Sequence, residues 1–153
     1  MENNPLEQVK EFHERFEHPI LPTPIIPDAK RCQLRVSLLQ EELNELVKAI
    51  NDKNILEVAD ALCDLEYVLA GAILEFGMGE KFAELLAEVH RSNMSKACAT
   101  LQEAENTIAF YFEKDGTECY YKEKNGAFLI YRKSDNKTLK SINYSPANLK
   151  SIL

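Results

Sequence analysis

LLQEELNELVKAI (residues 38–50), the polar break NDKN (51–54) and ILEVADALCDLEYVLAGAILEFG (55–77) decide the fold. In the first stretch and just upstream of it, Leu34, Leu38, Leu39, Leu43, Leu46, Val47 and Ile50 recur at helical steps and form a wide apolar face. Asp28, directly after Pro27, suits an N-cap, so this helix is expected over about residues 29–51. Leu62, Leu65, Val68, Leu69, Ala72 and Ile73 repeat the pattern over about 55–76, and Gly77 and Gly79 stop it. A link as short as NDKN makes the two helices antiparallel neighbours.

Each helix carries an acidic stripe along its apolar edge. At about 100° per residue, with Leu38 at zero, Glu41, Glu42 and Glu45 fall near −60°, +40° and −20°, overlapping Leu34 near −40°. With Glu57 at zero, Asp60 and Asp64 fall at about −60° and −20°, beside Val68 and Ala61. Gln40, Asn44 and Lys48 point elsewhere, so neither stripe holds a Lys or Arg. Carboxylates gathered this way repel one another and lose hydration, and a bound cation relieves both costs. Hard oxygen donors suit Mg²⁺, or Mn²⁺, rather than Zn²⁺. On this reading Glu41, Glu42, Glu45, Glu57 and Asp60 are the metal ligands. Paired glutamates at these spacings also occur on plain solvated helix faces, and spacing alone leaves both readings open.

Outward from this hairpin, LEQVKEFHERF (6–16) places Leu6, Val9, Phe12, His13 and Phe16 on one helical face. The prolines at 19, 22, 24 and 27 then enforce an extended connector. A fourth helix is expected at about 80–98, and Thr100-Leu-Gln-Glu103 has capping-box spacing that opens a short fifth to about 109. Beyond it, aromatic and β-branched runs (AFYFEK, TECYYKEK, AFLIYRK, KTLKSINY) are divided by Asp115-Gly116, Asn125-Gly126 and Ser134-Asp135-Asn136. Such pairs between alternating runs signal hairpins, so residues 110–144 are expected to form a small antiparallel meander. It is too small to stand alone and must pack on the helices or on a second subunit. The expected fold is mainly α: an antiparallel bundle of four to five helices over 1–109, with a β-meander extension over 110–153.

Composition narrows the function. The chain has 153 residues, 45% of them hydrophobic and 28% charged, enough for an ordered domain with a core. A net charge of −7 without clustered Lys or Arg excludes a nucleic-acid polymer as partner. No run approaches the roughly 18 apolar residues of a membrane span. MENNPLEQVK lacks a basic stretch followed by an apolar run, so no signal peptide is expected. Cys32, Cys63, Cys98 and Cys119 are scattered singly, which fits free thiols in the cytoplasm rather than a zinc site.

Glu41-Glu42-x-x-Glu45 followed by Glu57-x-x-Asp60, within the block from Leu38 to Gly77 and with HRSNMSKA (90–97) after it, resembles the all-α nucleoside triphosphate pyrophosphatase superfamily. MazG-like enzymes, dimeric all-α dUTPases and phosphoribosyl-ATP pyrophosphohydrolases belong to it. The resemblance covers about residues 28–97 and leaves the tail from about 110 outside. It implies Mg²⁺-dependent hydrolysis of a nucleoside triphosphate to the monophosphate and pyrophosphate, in a homodimer or homotetramer. Glu42, nearest the apolar side, is the expected general base, and Asp64 one turn on either supports a ligand or makes a packing hydrogen bond. The resemblance also makes Arg91, Asn93 and Lys96 substrate contacts, although cations there also suit a helix C-terminus. Tyr67 either stacks on a base or fills the core. His90 is expected on a helix surface, and His13 and His18 in structural positions. The substrate is dUTP or a non-standard nucleotide, or phosphoribosyl-ATP. The competing reading is a non-catalytic helical assembly module with structural acidic stripes.

Overall fold

The computed structural model describes residues 4–153; Met1–Asn3, the start of the segment read for a signal peptide, lie outside the described residues. The chain divides into two compact units, one ending at Phe82 and the other Ala83–Leu153.

The first unit contains α1 (Pro5–Arg15), α2 (Ala29–Asn51) and α3 (Ile55–Glu75). Each starts at a side-chain cap. Asn4 Oδ1 accepts from the Leu6 amide, Asp28 Oδ1 from the Lys30 and Arg31 amides, and Asn54 Oδ1 from the Leu56 and Glu57 amides. Pro5 at the first turn of α1 loses no helical hydrogen bond. Both long helices begin and end within a residue or two of expectation, and α2 and α3 pack along their length. α1 packs on α3, with Val9, Ala70 and Leu74 buried against Leu6 and Ile20.

The proline connector is fastened to the end of α3: the Leu21 amide donates to the Leu74 carbonyl (3.0 Å) and the Ile25 amide to the Phe76 carbonyl (3.1 Å). Gly77 is required there. Its φ is +68°, and a Cβ would stand 1.9 Å from the Thr23 carbonyl oxygen.

The second unit holds α4 (Phe82–Met94, opening at the division), α5 (Leu101–Asp115) and the antiparallel hairpin β1 (Cys119–Lys124) and β2 (Ala127–Arg132). Asn125 and Gly126, both at positive φ, make its two-residue turn. Cys98, Ala104, Cys119, Ile130 and Leu139 form the core, covered by Ile108, Tyr111 and Phe128.

Three expectations change here. AFYFEK is helix, not strand, because α5 is capped at both ends. Thr100 Oγ1 accepts from the Glu103 amide, Glu103 reaches back to the Ala99 amide, and Gly116 ends the helix at φ +74°. Asp115-Gly116 is therefore a helix stop and not a hairpin turn. The meander contracts to two strands, since KTLKSINY contributes a single bridge, Thr138 to Tyr131. The C-terminal segment is held on α4 by hydrogen bonds: Tyr144 Oη pairs with Ser92 Oγ (2.8 Å), and the Asn148 amide donates to Glu88 Oε1 (2.8 Å). Within the unit that begins at Ala83, α5 buries its apolar side against both strands.

Candidate active site

The stripe residues of α2 and α3 do not gather as one set: Glu41 borders a separate surface depression with Gln33, Val36, Ser37, Gln40 and Asn44. Glu45, Glu57 and Asp60 line a cleft of about 440 Å³ together with Lys48, Asp52 and Asn54, over buried Ala49. Glu42 lies half-buried; Glu41, Glu45, Glu57, Asp60 and Asp64 are exposed. Burial, then the charges of Asp64, Glu45, Glu41 and Asp60, push the Glu42 carboxyl above the usual carboxylate range. That shift reflects acidic groups from both helices around Glu42 and raises its basicity.

Among the described residues, no three His, Cys, Asp or Glu side chains are drawn close enough to chelate an ion by themselves. The acids that line the cleft, Glu45, Glu57, Asp60 and Asp52, come from both helices and the link between them and suit Mg²⁺. Thiol and imidazole are absent from its lining.

Lys48 corrects the expectation that the stripes hold no cation: ten residues after Leu38 it falls near −80° on the wheel, beside Glu41. Its exposed side chain reaches the cleft rim and donates to Asp52 Oδ2 (3.1 Å). Asp52, with Glu57 and Glu45 adding less, holds its ammonium above the usual lysine range.

The sequence reading passed over a charged clasp at the other end of the same interface. Glu75, 1% exposed, takes hydrogen bonds from both Arg31 and Arg35, the Arg31 Nε contact being 3.1 Å. Arg35 is buried and also donates to His13 Nε2 (3.3 Å), while His13 Nδ1 donates to the Pro19 carbonyl (3.0 Å). The carbonyl can only accept and the guanidinium can only donate, so His13 is neutral, protonated at Nδ1, with its Nε2 lone pair turned to Arg35. Burial pulls the His13 pKa below its ordinary value despite the Pro19 hydrogen bond. Burial alone would raise Glu75; hydrogen bonds from Arg35 and Arg31 outweigh it and hold the carboxyl below its ordinary value. Gly71 makes room, since a Cβ there would meet Arg35 Nη1 at 2.6 Å. Signals for this clasp existed. Arg31 and Arg35 stand one turn apart, Glu75 is a lone acid in an apolar helix end, and Gly71 interrupts a helix interior.

In the second unit, Arg91 is engaged by Glu88 through two bonds (2.7 and 2.8 Å), by Ser145 Oγ and by the Pro146 carbonyl. Arg91 and the Asn148 amide hold the Glu88 carboxyl down at about 2. Lys96 Nζ donates to Asn93 Oδ1 (2.7 Å) and His90 is exposed. Tyr67, in the first unit, is not core: it is 40% exposed.

A family model described as phosphoribosyl-ATP pyrophosphohydrolase matches residues 9–93, more than half of the chain. An uncharacterized protein of Acanthamoeba polyphaga mimivirus is 36% identical over 78 residues, covering 48% of this chain and 29% of that protein. The chain thus spans under a third of the length of that curated relative.

Proposed function

Because the chain belongs to the phosphoribosyl-ATP pyrophosphohydrolase family, we propose that it is a Mg²⁺-dependent nucleotide pyrophosphohydrolase, releasing pyrophosphate and a nucleoside monophosphate. The observation that carries this is the α2–α3 cleft, where acids from two helices meet beside a Glu42 of raised basicity. Glu41, Glu45, Glu57 and Asp60 would hold the metal, Mg²⁺ or Mn²⁺. When bound, it supplies neutralisation of the phosphate chain and a more acidic water. Glu42 accepts the proton of the attacking water, a task for a base tuned toward neutrality. Asp64, one turn from Asp60 and the charge that acts most strongly on Glu42, keeps that base proton-hungry. Arg91, Asn93, Lys96 and Tyr67 as substrate contacts belong to the same proposal and rest on the superfamily resemblance.

The description of the matching family favours phosphoribosyl-ATP as substrate, with dUTP or non-standard nucleotides, in a house-cleaning role, as the other class. A homodimer or homotetramer is supported by apolar side chains left exposed on the same helices, Ile55 (80%) and Leu56 (74%) above all. Four free cysteines support a cytoplasmic setting. The test is pyrophosphate release from a panel of nucleoside triphosphates and phosphoribosyl-ATP, with and without Mg²⁺, beside a solution mass. Mg²⁺-dependent release abolished by Glu42→Gln is the expected outcome. Inactivity on every substrate would leave the helical assembly module as the better reading, and full activity of Glu42→Gln would overturn Glu42 as the base.

A further inference from the structure

The proposed mechanism uses one side of α3 up to Asp64 and leaves an aromatic group next to it unexplained. Phe12 meets the Tyr67 ring edge-on at 5.6 Å, the Phe16 ring at 4.5 Å and the His18 ring, nearly parallel, at 5.7 Å. These rings are not core: Phe12 is 36% exposed, Phe16 57% and Tyr67 40%, and His18 is exposed. They are nevertheless held. Buried His13, pinned by Pro19 and Arg35, stands behind them, its ring 5.4 Å from that of His18. The cluster is a preorganised, open aromatic surface, which costs little to order when a flat ligand binds.

Its position relates it to the cleft. Tyr67 follows Asp64 by three residues, so the two are surface neighbours on α3. It follows Asp60 by seven, about 10 Å along the helix axis at 1.5 Å per residue. A stacked base, its ribose and the first phosphates together span a distance of that order. We propose that Phe12, Phe16, His18 and Tyr67 form the seat for the base of the substrate, beside carboxylates that handle its phosphates. The inference rests on the pyrophosphohydrolase reading and adds residues of α1 and the connector to that site. Ring faces recognise any nucleobase by stacking, so the seat selects substrates that possess a base and discriminates weakly among bases.

The test compares two ligands of the Mg²⁺-loaded full chain: a nucleoside triphosphate with a non-hydrolysable α–β bridge, and inorganic tripolyphosphate. Aromatic ring resonances are followed by NMR and affinity by calorimetry, in the unaltered chain, Phe16→Ala and Tyr67→Leu. Phe16 is the most exposed ring, so its truncation leaves the fold intact. The Phe16 and Tyr67 signals, assigned from the two variants, should move with the nucleotide and stay still with tripolyphosphate. Each variant should weaken the nucleotide about tenfold and leave tripolyphosphate unchanged. Rings unmoved by a nucleotide that does bind would overturn the seat while leaving the cleft reading in place. Equal loss of both ligands would do the same, as would a drop in solution mass on Phe16→Ala, which would make the rings a subunit contact. If neither ligand binds, the pyrophosphohydrolase reading falls, and the seat with it.

Discussion

The α2–α3 interface treats its charges in opposite ways at its two ends. At one end Arg31, Arg35 and His13 surround Glu75, which is almost wholly buried and fully paired. At the other, seven or more residues further along each helix, Glu42 faces Asp64, Asp60, Glu45 and Glu41 with water beside them. The paired end is closed and sets how the helices meet. The like-charged end is open, and beyond what Lys48 at its rim offsets, it stores repulsion that an incoming cation or proton relieves. Two ends of one packed pair can differ so much because the clasp holds the register on which the repulsive end depends.

The comparison breaks most visibly if Glu42 is not the base. Glu42→Gln should lower turnover about 10²–10⁴-fold, measured as pyrophosphate release at saturating Mg²⁺. The same variant should unfold no more easily than the parent, since it removes a repelled charge; a large stability loss would place Glu42 with the clasp instead.

At the closed end the expected signature is reversed. Arg35→Met should destabilise by about 3–5 kcal/mol in urea unfolding, because the buried carboxylate loses a partner. Adding Glu75→Leu should recover most of that loss, and failure to recover would show that the clasp contributes more than mutual neutralisation. Gly71→Ala, which drives a methyl group into Arg35, should cost about 1–3 kcal/mol.

Mg²⁺ sharpens the contrast. At about a hundredfold excess over its dissociation constant it should add about 2.7 kcal/mol to stability, reversed by a chelator. Asp60→Asn or Glu45→Gln should abolish the gain, whereas Arg35→Met should keep it.

The smallest effect is the pH dependence, and the two ends should show opposite signs. Glu42 holds its proton more tightly when folded, so its contribution is present below 4.5 and lost as pH rises through its raised folded value. Glu75 and His13 are both lowered on folding. Their contributions are present above 4.5 and 6.5 respectively and are lost as pH falls through the folded values. A thermal melt series should therefore show Glu42→Gln gaining stability at neutral pH only. Glu75→Gln should lose stability at neutral pH and little in acid. A parallel response of both variants would contradict the division.

The legibility of these features followed the range of the interactions behind them. The two long helices were readable because caps and apolar spacing act within a few residues: Asp28 and Asn54 begin them, and Gly77 follows the end of α3. The stripes were readable for the same reason. AFYFEK misled because its aromatic composition suits a strand, while Thr100 and Gly116, outside the run, cap a helix through it. Lys48 misled because it was grouped with Gln40 and Asn44, although ten residues after Leu38 it falls near −80°, beside Glu41 near −60°, and its long side chain reaches the cleft.

The sequence by itself determined that α1, α2 and α3 are helical and that α2 and α3 run antiparallel. Periodicity, capping and a four-residue link are local facts, and they suffice for that. Tertiary structure alone decided that Glu75 pairs with arginines forty or more residues away and that Gly71 is a clearance for Arg35. It alone brought Phe12 and His18 onto Tyr67. Those contacts depend on the axial register and tilt of packed helices, which no repeat in the chain encodes.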